Sequence, residues 1–407
     1  MSDILPRQLR EQTMSSSDKP TRSHLLSSLT PTGPESEMGQ LLRQFWHPVA
    51  LSADLKVGEP RPIRLLSEDF TLFRGQSGRA FLVGPRCRHR LTALHTGWVE
   101  GDSIRCMYHG WRFDGQGRCV ERPAEKDEHG MPERCHIPGY AVHEYAGMVF
   151  AYIGPAPAPD FDLPRKDCLE HPDALVFCTQ ETWEINWFQQ IENSLDPVHV
   201  SFVHRALRVD AFANAVTNGI PELSYEETDA GIEQTARRSA QNVRKSNWTF
   251  PNNNHVVVPG LTPEDAWIDF VIWMVPADDH HSTRFTLYAT RPRTPEERER
   301  LQTYFDNHGG RYNADEHYDE LFHQRKGPPP EDVMGLISAQ DYLAQRGQGV
   351  IADREGELLA SSDLGVMTLR RIFWRELECI RQGQPLKKWR KRQLHAPLPQ
   401  QPGHARH

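Results

Sequence analysis

The sequence has no long apolar run, and this absence limits what the chain can be. None of its segments approaches the roughly 18 uninterrupted apolar residues that a membrane-spanning helix needs. The opening residues, MSDILPRQLREQTM, contain no apolar core of the kind found in secretory signals. We therefore expect a protein that neither spans a membrane nor is secreted, and we predict a cytoplasmic location.

Cysteine and excess positive charge are also scarce. Only 7 cysteines are scattered over 407 residues, which argues against a disulfide scaffold and for free thiols in a reducing compartment. The 47 basic residues are outnumbered by 55 acidic residues, and the net charge of −8 argues against a general nucleic-acid binder. With 38% hydrophobic and 25% charged residues, the composition is that of a globular protein long enough for two domains.

Local composition suggests where these domains begin and end. The first 36 residues are rich in Ser, Thr and Pro and lack periodicity, so they predict a mobile tail. The Pro-rich run GPAPAPDFDLP, from Gly154 to Pro164, is the best candidate for a boundary. The expected divisions are a tail at 1–36, a first domain with a leading helix at 37–160, a second domain at 161–385 and a basic, polar tail at 386–407.

The two predicted domains differ in their secondary-structure patterns. Short alternating runs such as RPIRLLSEDFTLFRG predict strands and hairpins in the first domain. In the second, HVVVPGL, AWIDFVIWMVPA and STRFTLYATRP predict one antiparallel sheet, whereas TWEINWFQQIENSLDPVHVSFVHRAL and SDLGVMTLRRIFWRELECIRQG predict helices. The expected class is α+β: an all-β N-terminal domain, followed by an antiparallel sheet surrounded by helices in a helix-grip-like arrangement.

Two Cys–His pairs lie in one short stretch, CRHRLTALHTGWVEGDSIRCMYHGW. They are Cys87 with His89 and Cys106 with His109, and sixteen residues separate the pairs. Thiolate and imidazole ligands together suit zinc or an iron–sulfur cluster. A Rieske [2Fe–2S] cluster needs two cysteines on one iron and two histidines on the other, which these pairs supply. A structural zinc knuckle is the alternative, although zinc sites more often use C-x2-C or H-x3-H pairs.

This stretch resembles the Rieske domain of the Rieske non-haem iron oxygenases. The resemblance implies that Cys87 and Cys106 bind one iron, while His89 and His109 bind the other. The family often has Gly two residues after the first histidine, where this chain has Leu91. That departure affects the expected local turn and leaves the expected ligands unchanged. The other cysteines, at 119, 135, 168, 178 and 379, are expected to be ordinary thiols.

A second group of possible ligands lies in ENSLDPVHVSFVH. Two histidines and one carboxylate form the facial triad of mononuclear iron(II) oxygenases. On a regular helix His199 and His204, five residues apart, would point about 140° away from each other. We therefore expect a break in the helix near residues 200–203. The alternative is that Asp196 caps a helix that begins at Pro197, with both histidines on the surface or in the core.

The pattern D-x2-H-x4-H after E-N resembles the catalytic motif of the same oxygenases. It implies that His199 and His204 bind iron, that Asp196 links His199 to a Rieske histidine of an adjacent subunit, and that Asn193 lies near this path. The segment SAQDYLAQRGQGVIADREGELLASSDLGV resembles the phthalate-dioxygenase-like branch with α subunits only, whose Q-D pair implies Asp341 as the third ligand. Other candidates for this ligand are Glu331, Asp332, Asp353 and Asp363.

The resemblance implies an oxygenase component with a [2Fe–2S] Rieske cluster and a mononuclear Fe(II). Such a protein uses O2 and electrons from a separate flavin or ferredoxin reductase that oxidises NAD(P)H. It would hydroxylate, dihydroxylate, or O- or N-dealkylate an aromatic substrate, with an aromatic carboxylate or aryl ether expected. The branch forms homotrimers or dimers of trimers. No nucleic-acid or membrane partner is expected.

Two other functions and one open question accompany this interpretation. A Rieske-type electron-transfer protein without oxygenase activity would explain the first motif alone, and a zinc-stabilised binding module would need no redox chemistry. An anionic substrate would need an arginine in its pocket. Candidates are Arg237, Arg238, Arg244 and Arg284, each of which could instead be a solvated surface charge.

Overall fold

The computed structural model of the protein describes residues 21–126, 133–163, 167–206, 217–308 and 333–389. Over these ranges the strands form three antiparallel sheets, and the expected α+β class is confirmed. None of the helices described is both long and apolar enough to cross a membrane.

The N-terminal half is built on a six-stranded sheet preceded by helices α1 (Arg22–Ser27) and α2 (Glu37–Leu42). One of its two-residue hairpins turns at Leu66 and Ser67, which have positive φ angles of 50° and 65°. Two-residue turns of this hand match the twist of paired strands. In pairing order the strands are β1 (His47–Leu51), β10 (Met148–Tyr152), β9 (Gly139–Tyr145), β4 (Ala80–Val83), β3 (Glu68–Arg74) and β2 (Arg61–Leu65).

A smaller sheet in the same half packs with β3 and β4 around a second hydrophobic core. Its buried side chains include Ile104 and Phe113 together with Cys87 and Cys106 of the first motif. The Cys–His loops are therefore supported by a separate packed unit. The four strands of this sheet are β5 (Trp98–Glu100), β6 (Ser103–Arg105), β7 (Arg112–Asp114) and β8 (Cys119–Glu121).

The C-terminal half contains a seven-stranded antiparallel sheet. In pairing order its strands are β11 (Leu175–Trp183), β17 (Ser282–Thr290), β16 (Ile268–Pro276), β15 (Asn253–Val258), β14 (Val243–Thr249), β13 (Gly231–Arg237) and β12 (Glu222–Glu227). The α-helices within the described residues of this half are α3 (Asp167–Glu170), α4 (Trp187–Asn193), α5 (Val200–Val203), α6 (Pro295–His308), α7 (Val333–Arg346) and α8 (Leu364–Arg381). As its apolar periodicity predicted, α8 buries one face, with Leu369, Ile372 and Phe373 fully inaccessible.

One large hydrophobic core joins the two halves. The rings of Phe150 in β10 and Trp273 in β16 meet edge to face at 5.7 Å. At the tip of the β2–β3 hairpin, the buried Leu66 donates its N–H to the carbonyl of Pro276 over 3.0 Å. The six-stranded and seven-stranded sheets therefore pack as one body over these contacts.

The beginning of the chain differs from the expected tail. Residues 21–36 contain α1, and Leu26 and Leu29 are buried at 6% and 0% exposure. The prediction of a mobile tail is wrong for this part, because two leucines in a Ser- and Pro-rich segment are enough to anchor it to the core. Residues 1–20, which complete the predicted tail, lie outside the described residues.

The other end of the chain also stays packed beyond the predicted boundary at residue 385. Trp389 stacks on Phe250 with ring centroids 4.5 Å apart, and Lys387 bonds Glu227 at 2.9 Å. The predicted basic tail therefore does not begin at 386, since an aromatic side chain buries its surface there. Residues 390–407 lie outside the described ranges.

Candidate metal centres

The two Cys–His pairs lie on loops with matching backbones. The N–H of Leu91 bonds to the carbonyl of Cys87 over 2.9 Å, and that of Gly110 bonds to the carbonyl of Cys106 over 3.1 Å. Both closing residues have left-handed backbones, with φ angles of 60° for Leu91 and 74° for Gly110. Leu91 therefore preserves the turn that glycine would make, at a cost of roughly 1–2 kcal/mol for a left-handed non-glycine residue.

The thiols of these loops face the interior and the imidazoles face outward. Cys87 and Cys106 are 1% and 2% exposed, and both are free. Burial raises the pKa of Cys87 to about 12, and the adjacent Cys106 contributes in the same direction. The rings of His89 and His109 lie 4.5 Å apart at the surface. Two inner thiols and two outer imidazoles fit a Rieske cluster, and metal would replace the thiol protons.

Two aromatic side chains orient the histidines. The Trp111 ring stacks on His89 with centroids 4.9 Å apart and planes only 4° from parallel. The ring of Tyr108 lies 3.8 Å from that of His109. Trp111 is buried, whereas Tyr108 is 53% exposed, so the pair supports the histidines from the inside and from the surface.

The three residues predicted to bind mononuclear iron lie together. The Nε2 atoms of His204 and His199 are 3.3 and 3.5 Å from Oδ1 of Asp341. One ligand atom from each lies within 4.8 Å of the others, and among the described residues no other group of three or more His, Cys, Asp or Glu does this. This donor set fits a facial triad. Two other candidates for the third ligand, Glu331 and Asp332, lie outside the described residues.

The segment between the two histidines is a single helical turn. Residues 200–203 form α5, and at His204 the backbone leaves α-helical geometry and begins a 3-10 turn, so the break lies at the end of the range where we expected it. A second break separates α4 from α5, where Oδ1 of Asp196 accepts the N–H of Val198 over 3.0 Å. Pro197 disfavours the helical backbone for the preceding residue, which explains the position of this second break.

Hydrogen bonds to the other ring nitrogens aim both histidines at Asp341. Nδ1 of His204 donates to Oε1 of Gln340 over 2.9 Å, and Nδ1 of His199 donates to the backbone carbonyl of Asp196. Each Nε2 is then free to bind metal. Gln340 is the glutamine of the Q-D pair that pointed to Asp341, but its role was not predicted. Neighbouring residues on a helix point about 100° apart, so the pair itself did not indicate that both side chains reach the same site.

The charges around Asp341 favour its ionised form. Burial opposes ionisation, but His204 and His199 more than offset it and lower the pKa of the Asp341 carboxyl. Asn193 also donates to Oδ1 of Asp341 over 3.4 Å, and a guanidinium nitrogen of Arg284 lies 3.9 Å from Oδ2. A carboxylate that is already ionised can bind a cation without first losing a proton.

Comparisons with known proteins agree with this arrangement. Residues 45–144 match the family described as the Rieske [2Fe-2S] domain. The chain is 34% identical over 364 residues to the phenoxybenzoate dioxygenase subunit alpha of Ectopseudomonas oleovorans, covering 85% of this chain and 83% of that relative. The chain belongs to the Rieske non-haem iron oxygenases.

A second relative and a solved structure extend the match. The oxygenase shares 30% identity with the 5,5'-dehydrodivanillate O-demethylase oxygenase subunit of a Sphingobium species, over 88% of this chain and 80% of the relative. Its fold matches NdmA of Pseudomonas putida CBB5 with a TM-score of 0.65 at 18% identity, covering 85% of this chain and 93% of that one. The protein is thus an oxygenase component with a Rieske [2Fe–2S] cluster and a mononuclear iron, as predicted.

Asp196 and Asn193 occupy a special position in the oxygenase because they line two separate spaces. One is the cavity that contains the predicted iron ligands, and the other is a groove on the outer surface. Oδ2 of Asp196 is 3.8 Å from Nδ1 of His199, and the Asp196 side chain is 32% exposed. Asp353 and Asp363, also considered as iron ligands, line the outer groove instead.

A buried ion-pair network holds the wall of the groove against α4. Glu192 bonds Arg354 at 2.7 Å and Arg370 at 2.6 Å, and both arginines are 4% exposed. Arg370 also bonds Glu357 at 2.7 Å. Removing one partner from such a network leaves a buried charge without compensation. The network therefore fixes the groove wall relative to Asp196 on the neighbouring turn.

Proposed function

We propose that this oxygenase acts on an aromatic carboxylate or aryl ether at an iron held by His199, His204 and Asp341. The observation that carries the proposal is the meeting of these ligand atoms on the wall of a cavity. Three protein ligands leave coordination positions open, and bound iron would supply O2 activation there. An aromatic ring would pack on the apolar part of the lining, which includes Trp183, Val256, Phe270, Ile272 and Met334.

The names of the relatives support the proposed range of reactions. They include phenoxybenzoate dioxygenase, 5,5'-dehydrodivanillate O-demethylase and phthalate 4,5-dioxygenase. The proposed reactions of this oxygenase are hydroxylation, dihydroxylation and O- or N-dealkylation of the aromatic substrate. A separate flavin or ferredoxin reductase would deliver electrons from NAD(P)H, and we place the system in the cytoplasm, where NAD(P)H is made.

We further propose that the electrons reach each iron from the cluster of a neighbouring subunit in a homotrimer or a dimer of trimers. Asp196 supports this path because it faces both the iron cavity and the outer groove. Its carboxylate would accept a hydrogen bond from a Rieske histidine of the neighbour on one side and contact His199 on the other. Asn193, which lines both spaces too, would help to hold this contact through Asp341.

The outer groove has acidic and exposed apolar residues suited to such a neighbour. Asp353, Glu357 and Asp363 line it together with Leu358 and Leu359. Leu358 is 96% exposed, which is unusual for a leucine without a partner surface. A surface of the neighbouring subunit that complements this groove would therefore be both basic and apolar.

The exposed tip that carries the Cys–His loops has these two properties. Arg86, Arg88 and Arg90 are exposed there, and none has a carboxylate partner within the part of the chain described. Leu91 and Tyr108 add apolar area at 57% and 53% exposure. Opposite charges across an interface orient the docking of two surfaces. Docking of this tip in the groove would bring His89 or His109 towards Asp196.

Mixed assemblies of two inactive variants test the proposal. His204→Ala removes an iron ligand and His109→Ala removes a cluster ligand, so each variant alone should be inactive. Coexpressed with different tags and purified as mixed oligomers, they should regain reductase-dependent oxidation of 3-phenoxybenzoate, because an intact cluster meets an intact iron across the interface. The same variants purified separately and mixed without subunit exchange serve as the control. Inactive mixed oligomers containing both metal centres would contradict electron transfer between subunits.

Metal analysis distinguishes the oxygenase from an electron carrier. The proposed function requires about three irons for every two acid-labile sulfides, since the cluster contributes two irons and the triad one. A carrier would contain only the cluster iron and consume no O2 with substrate. Two irons in anaerobically purified protein, with no uptake of added Fe(II), would overturn the proposed catalytic role.

A further inference from the structure

The inner face of the seven-stranded sheet forms one wall of the iron cavity. Alternate residues of neighbouring strands point into it, as expected for a sheet with one face turned towards an enclosed space. Arg284 on β17 lies at the iron end, next to Asp341. The β13–β14 hairpin supplies polar residues at another part of this wall: Gln234, Arg238, Arg244 and Ser246.

Two of these residues are cations without an anionic partner. Within the described ranges, neither Arg238 nor Arg244 forms a salt bridge, and each donates only to a backbone carbonyl, of Gly219 and Val257 respectively. Burial lowers the pKa of both, and the charge of Arg238 helps to bring that of Arg244 to about 10. Two neighbouring guanidinium groups, both partly buried on the cavity wall, form a site for a carboxylate, which can accept hydrogen bonds from both.

Their sequence neighbours Arg237 and Lys245 do not add an unpaired charge to the cavity. Arg237 is exposed at the end of β13, and Lys245 is paired with Glu233 at 2.5 Å. Arg284 already lies beside the carboxylate of Asp341. The uncompensated charge of the cavity is therefore concentrated at Arg238 and Arg244.

Between the arginines and the iron, the same wall presents two hydrogen-bond acceptors without donors. Oε1 of Gln234 and Oδ1 of Asn254 are buried and accept no hydrogen bond from the described residues. The Gln234 amide nitrogen is already used, because it donates to Oγ of Ser246 over 2.8 Å. A buried acceptor without a donor is unfavourable, so a ligand that brings a donor to this position gains affinity.

We propose that the cavity takes an aromatic carboxylate that also carries a hydroxyl group. Arg238 and Arg244 bind the carboxylate, and the oxygens of Gln234 and Asn254 accept the hydroxyl hydrogen. The aromatic ring packs on Phe270 and the adjacent apolar wall. This inference rests on the proposed function in one respect, because it places oxidation at the end of the cavity where His199, His204 and Asp341 lie. Binding of the ligand itself needs no turnover.

Anaerobic titration calorimetry of the holoenzyme tests the carboxylate site. The probes are 3-phenoxybenzoate, its 4-hydroxyphenoxy analogue and the methyl esters of both. We expect each acid to bind about 10- to 100-fold more tightly than its ester, the range for hydrogen bonds to a charged group. Arg244→Gln and Arg238→Gln should abolish this preference, and the matched control Arg237→Gln should keep it. Equal binding of acids and esters, or no binding of any acid, would overturn the carboxylate site.

The same titrations test the hydroxyl site. Asn254→Leu and Gln234→Leu should weaken binding of the hydroxylated acid roughly fivefold while leaving the unsubstituted acid unchanged or tighter. Equal weakening of both acids would show that these residues act on cavity shape and would refute the hydroxyl preference. The cluster absorption spectrum and melting temperature of every variant report folding. Loss of the catalytic iron with unchanged ligand binding would count against the proposed function alone.

Discussion

The two metal centres of this oxygenase differ in how far other molecules can reach them. The cluster loops present His89 and His109 at the surface, where an electron donor or a neighbouring subunit can reach them. The proposed iron ligands His204 and Asp341 are 5% and 7% exposed and line an internal cavity. Electron transfer needs close approach by another protein, whereas O2 activation needs a site with few competing waters. Differences in exposure therefore follow the chemistry of each centre.

The largest expected effect tests whether the two centres are independent. Asp341→Asn should release the mononuclear iron and reduce turnover to background, because a neutral amide replaces the anionic ligand. The cluster should keep its spectrum, since it is supported by a different hydrophobic core. Iron and sulfide analysis with visible absorption checks both statements, with the exposed Asp54→Asn as control. Full iron content in Asp341→Asn would remove this residue from the ligand set.

A smaller effect tests the connection between the centres. Asp196→Asn keeps an oxygen that can accept the N–H of Val198, so the turn should persist, but it removes the carboxylate charge. Both metals should stay bound while coupled product formation falls roughly 10- to 100-fold, the usual range for residues that support a metal ligand. The control is Asp173→Asn, whose side chain is 77% exposed. Unchanged coupled turnover would show that electrons do not depend on Asp196.

A further variant tests how the buried centre is oriented. Gln340→Leu removes the acceptor for Nδ1 of His204, so the ring should lose its fixed orientation and the site should bind Fe(II) roughly tenfold more weakly. Gln340→Glu retains an acceptor and should restore the affinity. Competition with an iron chelator measures both. If the leucine variant binds iron as tightly as the native protein, the hydrogen bond has no orienting role.

The smallest effect compares the two loops of the exposed centre. Leu91→Gly should raise the free energy of unfolding by about 1 kcal/mol, because glycine adopts the left-handed backbone without strain. Gly110→Ala should lower it by a similar amount, since its Cβ would also lie 3.0 Å from Cγ of Pro123. Thermal unfolding measures both changes. A less stable Leu91→Gly variant would mean that contacts of the leucine side chain outweigh its backbone strain.

The two centres also differ in how far the sequence predicts them. All four predicted cluster ligands lie on two adjacent loops, so their spacing was enough to predict a metal site at Cys87, His89, Cys106 and His109, and the family resemblance gave the type of cluster. At the iron site the histidines were identifiable from D-x2-H-x4-H, but Asp341 required resemblance to a family branch. Gln340 was noted only as the first residue of the Q-D pair, and its hydrogen bond to His204, 136 positions away, was not predicted. Local motifs are visible in sequence because their geometry is set by a few backbone bonds, whereas supporting contacts depend on how distant helices pack.

The amino-acid sequence by itself determined the α+β class and the two short motifs from which, with the family they resemble, we predicted both metal centres and their ligands. Tertiary structure decided where the helix breaks before His199, which arginines face the cavity, and that Asp196 lies between the cavity and an outer groove. Arg237 and Arg238 are adjacent and chemically identical, yet only Arg238 lines the cavity. Side chains alternate between the faces of a strand, and only the packed sheet establishes which face encloses the substrate.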